Sequence, residues 1–283
     1  MMNASENSSF TSSYLQVNHC ANIFISISWI RVILLLPLST FVLYLGLQNW
    51  RQHRSFKTAS HFDIITYHLA FMELLWVLGY IWQMCAQYYY FTALSSVTVF
   101  LTSNVFYGEI LFHTLTCAEY YIAVVLPITY LRMKSTHGLW IRTISIICVW
   151  LLSFGMSSLS LVQLYKFANI LLLCLLGFAI IVTSFCSSSV LYALIHPGPG
   201  EKGVKKGLAD QSKQRAFHTI TIISCIQWLW FLGLLVSKAM GEIPWLSSAV
   251  SCLVMVSLGF CNLPCCLVLP MMYLQRAGKL SQN

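Results

Sequence analysis

The chain has 283 residues, of which 58% are hydrophobic and 8% carry a formal charge. Soluble domains hold about 45–50% apolar and about 25% charged residues, so a water-exposed surface over the whole chain is excluded. The formal charge of +8 would suit nucleic acid, but the basic residues lie in short connections between apolar runs. That placement points to a membrane surface and to no nucleic-acid partner.

Residues 1–21 contain no Lys or Arg and are rich in Ser and Asn. They do not resemble a cleaved secretory signal and are expected to form an extracellular N-terminal tail. Two sequons, Asn3-Ala4-Ser5 and Asn7-Ser8-Ser9, would accept glycans there. Beyond the tail come apolar runs near 22–48, 62–86, 94–126, 139–162, 167–195, 216–238 and 245–274. Each is long enough for the roughly 20 residues that a membrane-crossing helix needs. The expected fold is an all-α bundle of seven transmembrane helices over 22–274, followed by a short cytoplasmic tail at 275–283. The connections at 87–93, 163–166 and 239–244 are the shortest. That between the fifth and sixth runs, from His196-Pro-Gly-Pro-Gly to Lys205-Lys206-Gly, combines helix breakers with basic charge.

Basic residues fall on alternate connections. Arg51, Arg54 and Lys57 follow the first run, and Arg132, Lys134 and Arg142 surround the third connection. Lys202, Lys205, Lys206, Lys213 and Arg215 fill the fifth, and Arg276 and Lys279 follow the last run. All but three of the 16 basic residues are thereby on one side, the exceptions being Arg31, Lys166 and Lys238. Positive charge marks the cytoplasmic face, which predicts an outer amino terminus and an inner carboxyl terminus.

Ionisable residues at membrane depth are costly and direct attention to function. Asp63, Glu73, Glu109 and Glu119 qualify. In the third run Thr102, Phe106, Glu109, His113 and Tyr120 are spaced to share one helical face. If Glu73 approaches Glu109 there, two carboxylates repel unless a proton is shared or a cation such as sodium sits between them. The plainer reading makes each a neutral acid hydrogen-bonded within the bundle. His68 and His113 could join the carboxylates around a catalytic metal, but no His-Glu-x-x-His signature is present, and the chain is expected not to be an enzyme. Trp76, Tyr80, Trp82, Tyr88, Trp228, Trp230 and Trp245 gather toward the outer half, as interfacial or packing residues with some lining a pocket between helices. Most of the 11 cysteines sit within runs as packing residues; Cys20 and Cys85, near the outer face, could bridge.

The string Cys117-Ala-Glu-Tyr-Tyr-Ile-Ala-Val-Val-Leu-Pro-Ile-Thr-Tyr130, with seven runs and an outer amino terminus, resembles the rhodopsin-like (class A) G-protein-coupled receptors. It matches that family's Glu/Asp-Arg-Tyr motif followed by a Pro-x-x-Tyr loop. Further likenesses are His68-Leu-Ala-Phe-Met-Glu73 in the second run, Trp150 in the fourth, Tyr192 in the fifth, Trp228 in the sixth and Leu269-Pro270-Met-Met-Tyr273 in the seventh. Ser39 takes the place of the first-span asparagine.

The resemblance implies a plasma-membrane receptor that passes an extracellular signal to a heterotrimeric G protein. It implies a pocket for a small or lipidic ligand at Thr102, Phe106, Trp228 and Trp230, and switch positions at Glu119, Tyr120, Tyr121, Tyr192, Pro270 and Tyr273. Thr102 stands where amine receptors carry an aspartate, and the seventh run has no lysine for retinal. The chain departs from the family at Tyr120, which replaces the motif arginine. It departs again at Leu269 for the asparagine, at Trp230 and Ser184 for two prolines, and at Ser95 for the outer cysteine. These departures support an alternative, a receptor-like binding or trafficking protein that does not signal; a proton or ion transporter through Glu73, Glu109 and His113 is a third reading.

Overall fold

The computed structural model describes residues 4–53, 61–89, 92–132, 136–161, 165–195, 221–237 and 248–280. Asn3, Arg54, Lys57, Lys134 and the basic residues of the fifth connection lie outside them, as do the side chains of residues 1–21, Asn7 and Cys20 included. The described residues form eight helices and no strand. These are α1 (Ala4–His53), α2 (His61–Tyr89), α3 (Thr92–Val125), α4 (Pro127–Arg132), α5 (Thr136–Leu161), α6 (Tyr165–Ile195), α7 (Thr221–Ser237) and α8 (Ser248–Leu280).

Three differences from the expected elements concern boundaries, one being that α8 runs on to Leu280 through residues read as a tail from 275. Residues 4–21, read as a polar tail, are helical and continue into the first apolar run as one helix. The Pro-x-x-Tyr segment after α3 is the short helix α4, with Pro127 at its first position, where a missing N–H does no harm. Backbone bonds from Leu126 N to Ile122 O (3.2 Å) and Tyr130 N to Leu126 O (2.9 Å) carry the helical path across the junction.

By length and composition, four stretches among the described residues could cross a membrane: Ile25–Arg51, Asp63–Ala86, Gly138–Leu161 and Phe167–Ala193. The central helix α3 is not one of them, although its 34 residues are ample. Its position explains why. It packs against α2, α5 and α6, so much of its surface meets protein, and that surface bears Thr98, Asn104, Glu109, His113, Thr114 and Thr116, all buried. Outer helices are the reverse: only 17% of the Gly138–Leu161 stretch is buried, and α5 exposes Trp140, Ile144, Leu151 and Phe154.

Hydroxyl side chains return their hydrogen bonds to the preceding turn, as Thr40 Oγ1 does to Leu36 O (2.6 Å) and Ser157 Oγ to Ser153 O (2.7 Å). This satisfies polar atoms within an apolar helix. Glycines allow close approach of α1, α2 and α3. A Cβ at Gly46 would lie 2.7 Å from the Tyr67 ring, and one at Gly79 would lie 3.3 Å from the Thr102 methyl. One core cluster joins α2, α3, α5, α6, α7 and α8 around Met72, Phe112 and Leu269. Another joins α3, α6, α7 and α8 around Ile110, Leu176, Trp230 and Phe231. Helix α1 lies against α2 and α8.

Candidate functional site at the centre of the bundle

Helix α1 buries Ser28, Arg31, Leu35, Ser39 and Val42, which recur every three or four residues and therefore form one stripe. The stripe delivers Arg31 to the carboxylates of α2 and α3. Arg31 Nη2 donates to Glu73 Oε2 at 2.9 Å, to Glu109 Oε1 at 2.7 Å and to Cys266 Sγ of α8 at 3.4 Å. Side-chain exposures of 10% for Arg31, 4% for Glu73 and 2% for Glu109 place the group inside the bundle. Asn262 Nδ2 donates to the second Glu109 oxygen at 3.3 Å. The guanidinium also lies over the Trp76 ring, 4.1 Å from its centroid.

Glu73 and Glu109 both reach Arg31 Nη2, which takes the place between them that the sequence left to a cation or a shared proton. Glu73, Glu109 and Cys266 are close enough to hold a common metal ion, but that same nitrogen reaches all three. One guanidinium balances one carboxylate, and a proton on the other leaves the group neutral.

The histidines do not join this group. His68 Nδ1 accepts the Trp150 indole N–H at 3.3 Å, and its ring stacks on Phe112 with centroids 5.6 Å apart. His113 Nδ1 lies 3.1 Å from Gln227 Nε2. An amide nitrogen only donates, so Nδ1 accepts and the proton of the neutral ring is on Nε2, 3.4 Å from Cys265 Sγ. Cys117 Sγ donates to Gln227 Oε1 at 2.7 Å. A buried polar path thereby links α3, α7 and α8 beside the ion cluster.

Of the four expected pocket residues, Phe106 and Trp230 meet in the second core cluster. Thr102 faces Gly79 of α2 and bonds back to Thr98 O at 2.8 Å. Trp228 does not face inward. It is 40% exposed, and its indole donates to Ser184 Oγ of α6 at 2.6 Å, whereas Trp230 is 1% exposed and packs edge-on to His113. Positions two apart on a helix lie on nearly opposite sides, and the buried series Ile223, Gln227, Trp230, Phe231 and Leu234 decides which side is inner.

Among the switch positions, Glu119 lies 3.8 Å from Arg142 Nε of α5, and both are buried. A cation from the neighbouring helix stands near the acid where Tyr120 replaces an arginine. Arg142 also lies over the Tyr130 ring at 5.4 Å. Tyr120 is buried and lines a small void with Cys117, Cys186, Val190 and Ile223. Tyr121 packs its ring on Phe185 at 5.6 Å. Tyr273 is buried with its hydroxyl 2.9 Å from that of Tyr67 and 3.4 Å from Asn49 Nδ2, and Pro270 is buried beside it. Tyr192 is 67% exposed. Cys85 is a free thiol, and Cys20, considered above as its partner, lies outside the described side chains.

In the sequence Arg31 stands out only as a charge inside the first run and Arg142 only as a positive charge marking the cytoplasmic side, and Asn262, Cys266 and Gln227 have no role. The signal for Arg31 was available, since a lone arginine in an apolar stretch calls for a partner. No family model matches the chain, and neither does any curated protein.

Proposed function

We propose that this chain is a seven-helix plasma-membrane receptor of the rhodopsin-like class, its amino terminus outside and its carboxyl terminus in the cytoplasm. It responds to a small or lipidic ligand by shifting between two arrangements of the bundle and acts on a heterotrimeric G protein. The observation that carries this reading is the packing of landmark residues around α3. Trp150 of α5 bonds His68 of α2 across Phe112 of α3, while Tyr273 of α8 meets Tyr67 of α2. Of these, His68, Trp150 and Tyr273 are positions at which the sequence resembles the family, and they come from helices far apart in the chain. The charge asymmetry of the connections supports the orientation.

The receptor shares its bundle with the alternative of a binding or trafficking protein that does not couple. That alternative is favoured by Tyr120, buried in the position of the motif arginine, and by the approach of Glu119 to Arg142, a cation that α5 supplies and α3 does not. Ligand-independent nucleotide exchange on a panel of G proteins separates the two. The receptor reading expects measurable exchange from the natural chain. Exchange that appears only in Tyr120→Arg, with none from the natural chain, sinks the receptor reading and leaves the non-coupling one.

A further inference from the structure

We infer that the space between α1, α2, α3 and α8 is a cation-recognition site occupied by the chain's own Arg31, and that once emptied it takes up a guanidinium ion in preference to sodium. Three acceptors converge on one nitrogen: Glu73 Oε2, Glu109 Oε1 and Cys266 Sγ lie 2.9, 2.7 and 3.4 Å from Arg31 Nη2. The fourth wall is aromatic. Trp76 presents its face to the guanidinium carbon at 4.1 Å and is itself stacked on Tyr80, with centroids 5.4 Å apart and planes 4° from parallel. Trp29 closes edge-on against Tyr80 at 5.9 Å.

Carboxylates at the edge and an indole over the face suit a flat, delocalised, weakly hydrated cation that donates in its plane and stacks on a ring. A small hard cation prefers a shell of oxygens. Here an indole face and a thiol occupy directions in which such an ion needs oxygen ligands, and an anion would meet two carboxylates. Because Arg31 is attached to α1, its local concentration at the site exceeds that of any ion in solution. The natural chain therefore does not exchange its cation, and α1 stays tied to α2, α3 and α8 whatever the salt. The inference concerns the site alone and holds whether or not the protein couples to a G protein.

The test is thermal unfolding of the purified full-length chain in detergent, with sodium, N-methylglucamine or methylguanidinium as the chloride salt. The natural chain should unfold at the same temperature in sodium as in N-methylglucamine. Arg31→Ala should unfold several degrees lower and be raised by methylguanidinium in a saturable way, but not by sodium. In Arg31→Ala combined with Glu73→Gln and Glu109→Gln that rescue should vanish. The inference is overturned if sodium stabilises the natural chain, if sodium rescues Arg31→Ala as well as methylguanidinium does, or if the triple variant is rescued equally. Should Arg31→Ala not fold, Arg31→Lys decides together with the natural chain. Lower stability than the natural chain without sodium dependence supports the inference, and sodium dependence in either protein refutes it.

Discussion

Replacing the two acids of the central cluster singly and together tests how its charges are balanced. Arg31 Nη2 touches Glu73 at 2.9 Å and Glu109 at 2.7 Å, with all three side chains at or below 10% exposure. Glu73→Gln or Glu109→Gln alone leaves the guanidinium one carboxylate and offers it an amide oxygen in place of the other. The expected loss is that of one exchanged hydrogen bond, about 1 kcal/mol. The double variant leaves a buried guanidinium with no counter-charge, and breaking a buried pair in this way costs about 3–5 kcal/mol. The double loss should thus exceed the sum of the singles by about 2 kcal/mol, within the range found for residues sharing one network. Unfolding of the purified chain in micelles measures all four proteins. A single variant as damaging as the double, or losses that simply add, would refute the account of one guanidinium serving two acids.

The register of α7 is tested by Trp230→Ala, expected to cost about 3–5 kcal/mol as a fully buried aromatic, against a much smaller loss for Trp228→Ala on the outer face; equal losses in thermal unfolding would contradict the register. Trp150→Phe removes the indole bond to His68 and should cost about 1 kcal/mol, an effect that should disappear when His68 is already Leu. Cys148, Cys174, Cys225 and Cys261 are exposed on the outside of the bundle, so Ala at each should leave thermal unfolding nearly unchanged. Cys117, Cys265 and Cys266 are buried and should react with a maleimide only on unfolding, as mass spectrometry of digested protein can show.

Much of the fold was legible because membrane helices leave long runs of apolar residues. The runs at 62–86, 139–162 and 167–195 correspond to α2, α5 and α6 within a few residues. The run at 94–126 corresponds to α3, which carried a second signal in the shared face of Glu109, His113 and Tyr120, all of which are buried. The helical continuation of α1 through residues 4–21 was not legible, since polar Ser and Asn there suggest a tail. Periodicity also does not say which side of a helix faces its neighbours when apolar residues surround it. That is why Trp228 was placed inward and Trp230 was not singled out as the buried partner of His113.

The sequence by itself determined that this is a helical protein with membrane-compatible segments, and it singled out the acids that matter. Composition and run length act locally, so they can be read without a partner in view. The tertiary structure decided what those acids meet. Arg31 is 42 residues from Glu73, 78 from Glu109 and 235 from Cys266 in the chain, and only packing brings such distant groups within hydrogen-bond reach. The same holds for Glu119, whose cation comes from α5 instead of from the next residue in α3. Charge in an apolar medium must be balanced by something. A sequence names the charges, and the fold chooses the pairs.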